Sequence, residues 1–309
     1  MNEPQTAFDR SKPVHLFHHE QQQFRLEVQR FSNCPPELKV KEIDFSKHDV
    51  PAYEAAYRNG ASSCFRMRGP RTAPVVQDEE SLERSMFRAK KRVRLLVKEL
   101  GPNHFSTFST REKAPYMTAE DWKVMWGYFV RFLRLADIDF QYVAVLERHP
   151  SNPEHLHMHV AWRGKGFVNY NMLRRFWHMA IGKHRGFKVT RVLRGDDSPG
   201  NVQDRQVKAS AGSYRHTEKI AKYIGKYITK DLISDFNKKR YWQSTGISVA
   251  ETQVFWLSAL SMPDALREGL GMFGLWDLGA DVPLQSPWMC REGRVAWLAM
   301  DPKLLEPPF

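Results

Sequence analysis

The sequence predicts an α+β fold in which an antiparallel sheet is covered by helices on one side. Two observations carry that expectation. Between about residues 78 and 245, short segments rich in β-branched and aromatic residues are interleaved with longer segments of helical periodicity. After a leading helix their order is strand, helix, strand, strand, helix, strand, helix. The second and third strands are joined only by HPSNPEH, a turn short enough to make them a hairpin.

The leading helix is DEESLERSMFRAKKRVRLLVKELG. It starts near Asp78 to Ser81, carries acids in its first turn and is followed by Gly101. HFSTFSTRE, 104–112, has the Thr and aromatic content of a strand. TAEDWKVMWGYFVRFLRLA, 118–136, reads as an amphipathic helix, with Thr118 and Asp121 in capping-box positions. FQYVAVLE, 140–147, and HLHMHVAWRG, 155–164, are the hairpin strands. VNYNMLRRFWHMAIG, 168–182, is a helix that Asn169 can cap. FKVTRVL, 187–193, reads as a strand, and RGDDSPGNVQD, 194–204, as a loop by its Gly, Pro, Asp and Asn content. RHTEKIAKYIGKYITKDLISD, 215–235, is the last helix. Residues 1–77 and 246–309 show weak periodicity and read as N- and C-terminal extensions of the 78–245 domain.

The chain of 309 residues is 42% hydrophobic, enough for a sizeable core, and its formal net charge is +12. Such an excess favours a polyanionic partner, with nucleic acid the leading class. Cys34, Cys64 and Cys290 are far apart and form no CxxC pair, which argues against a zinc ribbon or a disulfide scaffold. The N-terminus lacks an apolar signal core and no apolar run is long enough to span a bilayer. The expectation is a reduced, cytoplasmic protein.

Two stretches carry the chemistry. In HLHMHVAW the strand period of two puts His155, His157 and His159 on one face and Leu156, Met158 and Val160 on the other. In a hairpin, cross-strand partners share a constant index sum. One even register puts Glu147 opposite His157, and the other puts it opposite His155. In either register Glu147, His157 and His159 share a face, with His155 as a further imidazole. Two imidazoles and a carboxylate suit Mg²⁺ or Mn²⁺ assisting phosphate chemistry, and also accept Zn²⁺ or Co²⁺. The second stretch is KYIGKYITKD. Tyr223 and Tyr227 are four apart and so lie on one helical face, with Lys226 and Lys230 each three residues after a tyrosine. Lys219 and Lys222 extend the charge, as Lys91 and Arg92 do on the leading helix. Ammonium groups beside a phenol favour its phenolate, a nucleophile able to form covalent intermediates. HExxH, GxSxG and GxxxxGK[ST] are absent.

Taken together, FSTFST, LERHPSNPEHLHMHVAW and YIGKYITKD resemble the three motifs of the HUH endonucleases. The closer likeness is to the rolling-circle replication initiators of filamentous single-stranded DNA phages and small plasmids. Phe108-Ser109-Thr110 departs from the Thr-Leu-Thr that usually ends the first motif. The resemblance covers roughly residues 78–245. It implies an RRM-like antiparallel sheet with the histidines on central strands. It also implies a divalent Mg or Mn ion on Glu147, His157 and His159, with His155 an alternative ligand as in three-histidine relaxases. Tyr227 and Tyr223 would be the catalytic nucleophiles, assisted by Lys226 and Lys230, and Lys219, Lys222, Lys91 and Arg92 would contact DNA. The implied activity is site-specific nicking and ligation of single-stranded DNA at a replication origin through a 5′-phosphotyrosine link. Host helicase and polymerase would be partners, and no membrane would be involved. Relaxases and single-strand transposases share that chemistry. A non-catalytic single-stranded nucleic-acid-binding module and a metal-free RNA-binding protein are the rival classes.

Overall fold

A computed structural model describes residues 23–43, 79–111, 116–149, 151–164, 169–206, 214–228, 241–257, 259–272, 285–290 and 293–299. These residues form an α+β chain with two five-stranded antiparallel sheets. They fall within two compact units, bounded as Phe31–Cys34 with Val76–Ala250 and as Met1–Arg30 with Pro35–Val75 and Glu251–Phe309.

In the larger unit the elements are α1 (Glu79–Leu100), β3 (His104–Thr110), α2 (Ala119–Leu135), β4 (Phe140–His149), β5 (Asn152–Gly164), α3 (Tyr170–Arg185), β6 (Gly200–Gln206), α4 (Tyr214–Gly225) and β7 (Tyr241–Gln243). The strand order is β6-β3-β5-β4-β7, so the histidine strand β5 is central. Local signals set several boundaries. Thr118 and Asp121 form the reciprocal capping box of α2, and the Asn169 side chain accepts from the Asn171 N–H at the start of α3. Gly186, at φ 83°, supplies the left-handed residue that ends α3.

Alternation along the hairpin sorts the sheet's two faces. Phe108, Tyr142, Leu146, Met158 and Trp162 pack with Trp122, Trp126 and Phe129 of α2 and Trp177 of α3. Val143, Val145 and Ala161 face the other way, against Val93, Leu96 and Val97 of α1 and Ile220 and Ile224 of α4. Helices therefore cover both faces, not one. The basic helices α1 and α4 each bury an apolar stripe on the face that carries the imidazoles, so their exposed charges lie on the side away from the sheet.

Two further expectations are corrected. Residues 187–193 form no strand, and the strand lies at Gly200–Gln206, beginning inside the expected loop. β6 pairs with the whole of β3, from His104 to Thr110, which leaves 187–193 no edge on that side. Gly200 enters β6 where a Cβ would sit 2.3 Å from the Ser109 carbonyl oxygen, so its glycine is a packing requirement and not a turn signal. The tyrosine helix ends at Gly225, not in the 230s. Beyond it, Lys226, Tyr227 and Ile228 donate to the carbonyls three residues back, a tighter 3₁₀-type turn. Lys230 and residues 229–235 lie outside the described residues, as does RMRGPRTAPVV, 66–76, which reads from sequence as a linker.

The smaller unit holds β1 (Gln23–Gln29), β2 (Glu37–Ile43), β8 (Gln253–Leu257), α5 (Met262–Gly271), β9 (Gln285–Met289) and β10 (Val295–Ala299), with strand order β8-β1-β2-β10-β9. The stretches read from sequence as two extensions thus supply strands to a single sheet. Phe24, Leu26, Val28, Leu38, Val40 and Leu298 line its buried side with Met262 and Ala265 of α5. Among the described residues no helix is long and apolar enough to cross a membrane.

Candidate metal centre and tyrosine pair

The β4–β5 register puts Glu147 directly opposite His157 and Val145 opposite His159, which selects the first of the two hairpin alternatives. On the other side of β5, Thr107 faces His159 and Ser109 faces His157. Three strands thus bring the carboxylate, the imidazoles and a hydroxyl onto one face.

His159 is the hub. It is buried, its Nε2 lies 2.6 Å from Glu147 Oε2, and its Nδ1 lies 3.1 Å from Thr107 Oγ1. Donation from Nδ1–H to the threonine oxygen leaves the Nε2 lone pair turned towards Glu147. Burial pushes the Glu147 carboxyl up to about 7. Burial and the neighbouring His157 push the His159 imidazole down to about 4. Near neutral pH the imidazole is neutral and the carboxyl is at the midpoint of its titration, so the contact is a hydrogen bond and not an ion pair. His157 is likewise pushed down to about 4, by burial and then by His149 and His155.

The tyrosines close over this hub. The Tyr227 ring stacks on the His159 imidazole with centroids 3.7 Å apart and planes 11° apart. Tyr223 meets Tyr227 edge-to-face at 5.1 Å and Phe105 edge-to-face at 5.3 Å. The expectation that lysines favour the phenolate is corrected at Tyr227. Burial, then the adjacent Tyr223 and Glu147, hold its phenol well above the usual tyrosine range. Lys226 lies over the Tyr223 ring instead, 5.8 Å from its centroid.

The remaining candidates are placed less closely. His155 directs Nε2 at the Thr110 carbonyl oxygen, 2.9 Å away, so that nitrogen is the protonated donor and is committed to the backbone of β3. Lys222 is within 3.5 Å of Glu218, while Lys219, Lys91 and Arg92 are exposed on the helices. His149 was not singled out from the sequence. A register shift after Arg148 brings its ring to 4.6 Å from that of His157, and bulges have no single-sequence signal here. Thr107 and Phe105 were also missed as site residues. The strand pattern of FSTFST put them on one face, but only the β3–β5 pairing shows that this face is the imidazole face.

Among the described residues no three His, Cys, Asp or Glu side chains already converge as a metal site. Glu147 and His159 are bonded to each other, and the rings of His157 and His159 are 6.5 Å apart. The donor chemistry nonetheless fits a divalent ion. Two neutral imidazoles and a carboxylate share one face, and a hydroxyl on Nδ1 fixes the tautomer that leaves Nε2 of His159 able to ligate. No protein-family model, curated protein or solved structure matches the chain.

Proposed function

We propose that the protein is a metal-dependent, site-specific single-strand DNA nickase and ligase of the HUH type that initiates rolling-circle replication. The observation that carries this reading is the Tyr227 ring stacked on His159 while Glu147 holds the same imidazole. A nucleophile-bearing residue thereby lies directly on the candidate metal centre. The unit β3-α2-β4-β5-α3-β6, with spatial order β6-β3-β5-β4, supports it further. That is the βαββαβ connection of an RRM-like sheet, with the histidines on its middle strand.

Glu147, His157 and His159 would hold Mg²⁺ or Mn²⁺, which when bound supplies Lewis-acid polarisation of the scissile phosphate. Tyr227 presents its phenol oxygen to phosphorus. The P–O3′ bond breaks, O3′ leaves with the electron pair and takes up a proton, and the phenol proton is released to solvent. The products are a free 3′-OH, which a host polymerase can extend, and a 5′-phosphotyrosine on the protein. Tyr223, one turn away, can attack the regenerated origin while the first link is ligated. Lys226 and Lys230 neutralise phosphate charge. The phosphodiester energy is conserved in the tyrosine link, so neither cleavage nor ligation needs ATP, and strand separation falls to a host helicase.

The test is a denaturing gel of the protein with single-stranded oligonucleotides spanning its replicon, with and without Mn²⁺ or Mg²⁺. The expected result is a covalent adduct that needs the ion and is absent in Tyr223→Phe/Tyr227→Phe. DNA binding with no adduct under any condition would mark a binding module in place of an enzyme.

A further inference from the structure

The solvent side of α1 has an unusual composition. Of its described side chains the exposed ones are Glu79, Arg84, Phe87, Arg88, Lys91 and Arg92. After the first turn, that is four cations and one aromatic. Arg84, Phe87, Arg88 and Lys91 recur at i, i+3, i+4 and i+7 and so form one stripe along the helix. Phe87 is 57% exposed, with the Lys90 ammonium 5.9 Å from its ring centroid. An apolar ring left in water among four cations gains nothing for the fold, since the core side of α1 is already filled by Met86, Val93, Leu96 and Val97.

The helix packed against α1 repeats the arrangement. Lys219, Lys222, Tyr223 and Lys226 follow the same spacing along α4 and its terminal turn, and all are exposed. Tyr223 is 45% exposed and is braced edge-on by Phe105. Each helix thus offers a row of cations around one accessible ring. Cations alone are what any polyanion requires. A flat ring among them adds a surface on which an unpaired base can stack, and a duplex, whose bases are already stacked, cannot use it.

We propose that the paired outer faces of α1 and α4 are a track for single-stranded DNA, with Phe87 as a base-stacking platform and Arg84, Arg88, Lys91 and Arg92 as its phosphate contacts. This rests on the nickase reading for the identity of the strand, but not for the existence of the surface. Tyr223 at the end of α4 would link the track to the tyrosine pair.

The experiment is fluorescence anisotropy of the full chain with fluorescein-labelled oligo-dT and with a duplex of equal length, in EDTA so that no cleavage occurs. Phe87→Ala is expected to weaken oligo-dT binding about tenfold and to leave duplex binding within about twofold. Phe87→Trp should restore affinity and Phe87→Leu should not, because only the former keeps a π face. Lys91→Ala/Arg92→Ala should make the salt dependence shallower, by roughly 0.7 in log–log slope for each phosphate no longer neutralised. Unchanged oligo-dT affinity in Phe87→Ala, equal losses on duplex, or rescue by Leu would overturn the proposal. An adduct formed by the wild type while Phe87→Ala binds normally defeats the track and leaves the nickase standing. Loss of binding in Phe87→Ala with no adduct from the wild type in Mn²⁺ does the reverse.

Discussion

The phenol ring of Tyr227 lies flat on the imidazole of His159, 3.7 Å between centroids, while Tyr223 stands perpendicular to it and nearly half exposed. The two tyrosines are one helical turn apart in sequence but are not equivalent in surroundings. Only Tyr227 shares an imidazole with Glu147. Tyr227→Phe is therefore expected to abolish the first covalent adduct while leaving the fold and oligonucleotide affinity intact. Tyr223→Phe should still form that adduct and lose joining or the second cleavage. Peptide mass spectrometry of the trapped species decides it: attachment at Tyr223 alone would reverse the order, and attachment outside positions 223 and 227 would defeat the mechanism.

Much of this site was legible because it is built on the two shortest-range rules in the chain. A strand period of two put the three imidazoles on one face, and a tight hairpin limited Glu147 to His157 or His155. The structure chooses His157. What was not legible depends on partners distant in sequence. Gly200, Asn201 and Asp204 look like loop residues. They form a strand because β3 is there to pair with, and because Asp204 accepts from Ser106 and bonds His104 across that pairing. QFRLEVQ and ELKVKEI alternate well enough to be strands, but β8 and β10 beside them come from beyond residue 250. The end of α4 escaped for a different reason. Gly225 sits inside an otherwise unbroken periodic pattern, and sequence spacing does not separate an α turn from the 3₁₀ turn that swings Tyr227 onto His159.

Acid should destabilise the metal-free protein. His178 is fully buried, with Nε2 bonded to the Gly200 carbonyl and Nδ1 accepting from the Leu193 N–H, so both nitrogens are committed in the neutral form. Burial lowers its pKa below the ordinary 6.5, and His157 and His159 are held at about 4. Below pH 6.5 the unfolded chain takes up protons that the folded chain refuses, so stability is full above that pH and falls as pH drops. At pH 5.5 His157 and His159 each cost about 1.4 kcal/mol, and His178 acts in the same direction. Glu147, raised to about 7, works in the opposite sense, because the folded state holds its proton more tightly. It contributes about 2 kcal/mol at the same pH. His157, His159 and Glu147 together leave a net loss of roughly 1 kcal/mol between pH 7.5 and 5.5, to which His178 adds. Urea unfolding in EDTA at the two values should show a lower midpoint at 5.5, and an equal or higher one would contradict the assignment of neutral buried imidazoles.

Gly200 tests the β3–β6 pairing. An added methyl would meet the Ser109 carbonyl at 2.3 Å, Ile181 Cδ1 at 2.7 Å and Trp177 Nε1 at 3.0 Å, all of them buried or strand-bound. The same place carries the Trp177 Nε1–H to Ser109 bond at 2.9 Å. Gly200→Ala should lower stability by about 1–3 kcal/mol through overpacking. The Gly186→Ala control has no neighbour within 4 Å but a φ of 83°, so its cost is strain alone. Thermal unfolding compares them, and a Gly200→Ala protein as stable as wild type would mean that β6 does not approach β3 as closely as described.

Thr107 is expected to set metal affinity without touching the metal. Its hydroxyl lies 3.1 Å from His159 Nδ1, where accepting an Nδ1–H would fix the tautomer in which Nε2 can ligate. Valine preserves the shape and β-propensity of the side chain but offers no acceptor. Thr107→Val should therefore weaken Mn²⁺ binding by about 10–100-fold, and Thr107→Ser should restore most of it. Electron paramagnetic resonance of free Mn²⁺ gives the affinity with no DNA present, so the result does not depend on catalysis. Val and Ser behaving alike would assign Thr107 to packing only. A wild type that binds no Mn²⁺ would instead remove the ion from the site and leave Glu147 and His159 as a buried hydrogen-bonded pair beneath Tyr227.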